Sequence, residues 1–90
     1  MAQQASSQIT GGPHDYGFIK KSRKAKTTIP FRTAKGLIQA QVGKIQSYDR
    51  NSREVIMYCD CELPDGKTKR DARIEYSFSS FSGTISGLAY

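Results

Sequence analysis

A strict two-residue alternation in two adjoining segments is what most restricts the fold of this chain. In residues 54–63, Val55, Met57, Cys59, Cys61 and Leu63 fall on one face, and Ile56, Tyr58, Asp60 and Glu62 fall on the other. In residues 69–78, Ala72, Ile74, Tyr76 and Phe78 alternate with Asp71, Arg73, Glu75 and Ser77. Successive side chains of a strand point to opposite faces, so this period predicts two half-buried strands. Pro64-Asp65-Gly66 lies between them and is turn chemistry. The two segments therefore predict an antiparallel hairpin.

A third strand precedes them. Ile38, Ala40 and Val42 alternate with Gln39 and Gln41, and then the phase slips, because Gly43 follows Val42 and the next apolar residue is Ile45. A one-residue slip at a glycine predicts a β-bulge or a sharp bend. Tyr48-Asp49-Arg50-Asn51-Ser52 supplies the next turn. The result is a strongly bent antiparallel meander. A bent meander avoids exposed strand edges by closing on itself. The expected fold is all-β, a small SH3-like or OB-like barrel over about residues 16–80, with a flexible N-terminal arm.

The flanking segments are harder to place. Residues 1–15 are polar and contain Gly11-Gly12-Pro13, which reads as a flexible arm. Residues 16–21 and 26–32 pair as a hairpin around Ser22-Arg23-Lys24-Ala25, with Pro30 confining the second strand to an edge, or stay extended until a partner binds. No helix is expected. Residues 81–90 form a Ser/Gly-rich tail that adds a short closing strand or stays loose. Ninety residues allow one domain, and an apolar content of 37% is below the globular norm, which puts part of the chain outside the core.

Charge is unevenly distributed. Residues 16–48 hold eight basic side chains and no acidic one: Lys20, Lys21, Arg23, Lys24, Lys26, Arg32, Lys35 and Lys44. The formal net charge of +6 arises from this stretch, since residues 49–90 hold six basic and seven acidic groups. A concentrated positive field attracts polyanions and gains free energy from released counterions.

The run Val42-Gly43-Lys44-Ile45-Gln46-Ser47-Tyr48-Asp49-Arg50-Asn51-Ser52-Arg53-Glu54-Val55-Ile56-Met57 resembles the Gly-centred pattern of KOW-type and other SH3-like barrels. There a Gly-Lys-apolar strand leads through a basic turn into a Val-rich strand. The same meander is similar to the opening strands of OB-fold proteins such as bacterial initiation factors. The resemblance covers about a third of the chain and implies a small barrel. Small barrels often bind at a strand end and turn, which here hold Lys44, Arg50 and Arg53.

Other chemistries find little support in the residues. His14 stands beside Asp15 in the polar arm, where nothing would hold a base in place. Asp60, Glu62, Asp71 and Glu75 are expected to form solvated cross-strand ion pairs with Lys69, Arg70 and Arg73. Cys59 and Cys61 share a face with Val55 and Met57, so they are expected to be buried, unpaired core residues and not metal ligands. No cofactor is expected. Free thiols, no apolar run of spanning length and a start without a signal pattern lead to an intracellular expectation: cytoplasmic, nucleoid-associated or within a virion, and not secreted.

The expected function is non-catalytic nucleic-acid binding with weak sequence specificity. Phosphate contacts fall to Lys20, Lys21, Arg23, Lys24, Lys26, Arg32 and Lys35, with Lys44, Arg50 and Arg53 second, and base stacking to Tyr16, Phe18 and Tyr48. Three alternatives stand beside it. One is a structural protein, viral or phage proteins included. Another is an interaction protein whose basic stretch meets an acidic protein surface. The third is an inhibitor of a nucleic-acid enzyme.

Overall fold

The computed structural model describes residues 6–86. Six antiparallel strands follow one another in chain order around a closed barrel, with one helix inserted after the first. The strands are β1 (Ser6–Gly11), β2 (Thr28–Thr33), β3 (Gly36–Asp49), β4 (Glu54–Glu62), β5 (Thr68–Ser77) and β6 (Ser82–Ser86), and the helix is α1 (Tyr16–Ala25). The small bent barrel expected from the sequence is present. β1 closes it by pairing with both β2 and β6.

The meander follows the alternation. Val55, Met57, Cys59 and Cys61 on β4, and Ala72, Ile74 and Tyr76 on β5, all point into the core. The predicted bend on β3 is a pair of register shifts against β4, one between Val42 and Lys44 and one between Ile45 and Ser47. A further shift opposite Cys59 and Cys61 leaves Asp71 at φ 55°, where its N–H donates to Asp60 Oδ1 at 3.0 Å. The carboxylate of Asp60 thus serves a bulged backbone. The observed ion pair on this face, Arg73 to Glu75 at 2.8 Å, runs along β5 and not across strands as expected.

Two expectations for the flanks are corrected, and of the two alternatives for the tail one is found. Residues 6–11 are not an arm: they form β1, and Ile9 is fully buried. Residues 1–5 lie outside the described residues. The hairpin over residues 16–32 is replaced by α1 followed by β2. In the tail, β6 is the closing strand, with Ile85 buried and residues 87–90 outside the described set. Gly83 makes this closure possible. A Cβ there would lie 1.9 Å from the Glu75 carbonyl oxygen, so no other residue fits that crossing.

The helix has clear physical causes. The Asp15 side chain caps it, accepting from the Phe18 N–H at 2.8 Å. Lys26 ends it in the left-handed region at φ 57°, and its N–H bonds the Arg23 carbonyl at 3.3 Å. Ile19 and Ser22, three residues apart, form the buried face. Hairpin and barrel connections alternate between the two ends of an antiparallel barrel. The β1–β2 connection carrying α1 therefore shares an end with the β3–β4 and β5–β6 turns. Among the described residues, no helix is long and apolar enough to cross a membrane.

A chain of rings fastens this end together. Phe31 meets Tyr76 at 5.4 Å, Tyr76 meets Phe78 at 5.3 Å, and Phe78 meets Tyr48 at 6.1 Å, all edge to face. Tyr48 then stacks on Tyr16 of α1 at 4.0 Å. Edge and offset contacts of this kind add to the burial of the rings. The Tyr76 hydroxyl donates to the Pro13 carbonyl at 3.0 Å, which ties the β1–α1 connection to β5.

Candidate nucleic-acid interface

The basic residues divide by element. Lys20, Lys21, Arg23 and Lys24 lie on α1 and Lys26 at its C-cap, all exposed. A rotation of about 100° per residue carries Lys20, Lys21 and Lys24 to the side away from Ile19 and Ser22, with Arg23 on the flank. The helix packs on β2 and β3, so this cationic side faces solvent. Among the described residues, none of these five has an ion-pair partner. Lys20 Nζ lies 5.3 Å from the centre of the Tyr16 ring, a cation–π contact.

The remaining candidates are spread over the barrel. Arg32 is exposed on β2, opposite Leu37 of β3. Lys35 is exposed in the β2–β3 turn, at the barrel end opposite α1. Lys44 is exposed at the first β3 register shift, paired with Tyr58. Arg50 and Arg53 are exposed in the β3–β4 turn, at the α1 end. Asp49 organises that turn by accepting from the N–H groups of Asn51 and Ser52, which hold its carboxyl below the ordinary range. The geometry brings the helix cations and the β3–β4 turn to one end and leaves Lys35 at the other.

The three stacking candidates have different fates. Tyr16 and Tyr48 are half-buried and stack on each other, with 9° between ring planes. One face of each ring is thereby occupied. Phe18 is 46% exposed on α1. The sequence offered no stacking role for His14, weighed above only as a base, and none for Leu37 or Phe81. The His14 ring meets Phe81 at 5.2 Å, edge to face, on the outside of the barrel. A polar flank and a Ser-rich turn gave no periodic signal for either residue.

Both thiols are buried and unpaired, as expected. Burial pushes Cys61 up to about 11, with a further push from Asp60, and pushes Cys59 higher still. Such thiols stay protonated at neutral pH and make poor nucleophiles. Among the described residues, no group of three His, Cys, Asp or Glu is placed to hold a metal ion.

The fold and this surface define a small closed β-barrel whose one end is covered by a short cationic helix. Comparison with protein-family models, with curated proteins and with solved structures gives no match.

Proposed function

We propose that this protein binds nucleic acid without catalysis, through phosphate contacts made by α1 and the neighbouring β3–β4 turn. The observation that carries the reading is that, among the described residues, Lys20, Lys21, Arg23, Lys24 and Lys26 on the exposed side of α1 and at its cap have no ion-pair partner. Like charges three and four positions apart on a helix repel, and each such pair costs roughly 0.2–0.5 kcal/mol. Lys20–Arg23, Lys20–Lys24 and Lys21–Lys24 are such pairs. A polyanion relieves this repulsion and releases its own counterions at the same time. Arg50 and Arg53, at the same end of the barrel, extend the surface.

Phosphate contact carries no sequence information, so the binding is weakly sequence-specific. The test is a salt-dependent titration with DNA, RNA and a polyanion control. Binding should weaken steeply with salt, with about one unit of log–log slope for each phosphate contact. Absence of salt-dependent binding to either nucleic acid would sink the reading. Partner capture by an acidic protein surface would then be the one to pursue.

A further inference from the structure

We propose that the surface joining His14, Phe18, Leu37 and Phe81 is a base-stacking platform, and that the nucleic acid this protein takes is an unpaired strand. The inference rests on the nucleic-acid reading above and specifies the form of the ligand.

Among the described residues, three large apolar side chains are substantially exposed: Phe18 at 46%, Leu37 at 49% and Phe81 at 40%. They come from α1, β3 and the β5–β6 turn, yet they line two adjoining clefts. Phe18 borders one of about 260 Å³, and Leu37 and Phe81 border one of about 370 Å³. Both clefts share Gly12, His14 and Pro30. Among the described residues, the large exposed apolar side chains are therefore gathered around these two clefts. The position of Phe81 adds to this. It sits at φ 53°, a backbone region that favours glycine, yet it carries a bulky ring held edge to face against His14.

The chemistry of the surroundings selects the occupant. Arg32 lines the larger cleft, and Lys21 lies one helical turn from Phe18. The nearby carboxylate, Asp15, is already engaged by the Phe18 N–H. Flat rings beside unpaired cations suit a ligand with planar apolar faces and a regular negative backbone. Unpaired bases offer such faces, whereas a duplex keeps them stacked inside and presents its backbone and the base edges in its grooves. An apolar peptide would leave the cations of α1 without a counterpart.

The test uses the full chain, with an oligothymidylate of about 12 nucleotides, a length within the usual site size of small barrels. A duplex of equal length serves as the control. Phe81→Gly removes the ring at a position whose backbone favours glycine, and Phe18→Ala acts at an exposed helix site, so both variants should keep the fold. Each is expected to weaken single-strand binding about tenfold, leaving the salt slope and the duplex affinity unchanged. Amide NMR shifts on adding the oligomer should concentrate at Gly12, His14 and Phe81.

Salt-dependent binding in which duplex and single strand are equal, and neither variant changes either, overturns the platform while leaving the nucleic-acid reading intact. Absence of binding to both polymers removes both. A wild type that self-associates in sedimentation, and becomes monomeric on Phe81→Gly, assigns the face to a second copy of the chain and overturns the proposal. Should Phe81→Gly melt below wild type, the Phe18→Ala result decides alone.

Discussion

The outer surfaces of β4–β5 and of α1 are both rich in charge, and they handle it in opposite ways. On β4–β5 the signs are mixed. Arg73 pairs with Glu75 at 2.8 Å, and Asp60 accepts a backbone N–H from the bulge at Asp71. Those groups serve the strand that carries them. On α1, four cations occupy ten residues with no anion among them. The capping carboxylate, Asp15, bonds the Phe18 N–H and pairs with none of them. Among the described residues, the charge on β4–β5 is partly engaged and elsewhere balanced in sign, with Glu54 and Glu62 against Lys69 and Arg70. The charge on α1 is of one sign and, among the described residues, has no ion-pair partner, which makes it available to something outside the chain.

The largest expected effect tests that contrast directly. Replacing Lys20, Lys21, Arg23, Lys24 and Lys26 with Gln should lower nucleic-acid affinity at low salt on the order of a thousandfold, and should flatten the salt slope. Gln is nearly as good a helix former as Lys or Arg, so the circular dichroism of the variant should match wild type. Arg70→Gln with Arg73→Gln should change affinity by less than about threefold, because mixed-sign charge gives little net field. Equal losses from the two sets, measured by anisotropy titration, would break the comparison.

The two sides of α1 can be separated in the same way. Ile19 is fully buried and Phe18 is exposed, although they are neighbours in sequence. Ile19→Ala should cost about 2–4 kcal/mol in urea unfolding, from lost burial and the cavity left behind. Phe18→Ala should change stability by less than about 0.5 kcal/mol. If Ile19→Ala also costs little, α1 is only loosely seated and its cations are not held in a fixed array.

Much of the fold was legible because most of the meander is buried on one face only. Val55 to Cys61 and Ala72 to Phe78 each place alternate residues in the core, and a one-residue error in either would expose the whole set. The bulge was legible because Gly43 breaks the apolar phase. β1 was not, because its one large core residue is Ile9, and its place is set by pairing with β6 far along the chain. α1 was missed for a related reason. Ile19 and Ser22 are its buried residues, too few to show a helical period. Its real signal was local: Asp15 as a cap and the absence of β-branched residues other than Ile19 through Ala25. The charge run is a cluster in sequence. Only the fold separates the five cations at α1 from Lys35 at the other end. The exposed rings of Leu37's neighbours, His14 and Phe81, meet through tertiary contact alone.

The inner face of β4 offers a pH test of the side where charge is excluded. Burial raises Cys61 to about 11 and Cys59 further. An unfolded thiol ionises near about 8.5. Below that pH both states hold the protons, and stability from this source is fully present. Above it the unfolded chain releases protons that the folded chain retains, so stability falls as pH rises towards about 11. The loss should approach up to about 1.4 kcal/mol per pH unit for each thiol. Urea midpoints at pH 8 and pH 10 (about 1.5 units above the free thiol value) measure it. The Cys59→Ala, Cys61→Ala double variant should be less stable at pH 8 and should lose less on going to pH 10. An equal loss in both proteins would place the alkaline sensitivity elsewhere.

The smallest effect sharpens the comparison most, because it predicts opposite signs. Lys21→Glu replaces one repulsive pair with Lys24 by an attractive one, on an exposed helix face without other partners. It should raise stability by about 0.5 kcal/mol at low salt. The gain should disappear near 1 M salt, where the screening length is about 3 Å. Arg73→Gln removes the partner of Glu75, in a pair whose side chains are 37% and 48% exposed. It should lower stability by no more than about 0.5 kcal/mol, because solvent already screens the pair. Binding should respond the other way round: Lys21→Glu should weaken it and Arg73→Gln should leave it nearly unchanged. A chain selected for stability alone would carry an acid among the cations of α1. If Lys21→Glu proves destabilising at low salt and neutral for binding, the helix cations are structural after all, and the contrast between the two faces is lost.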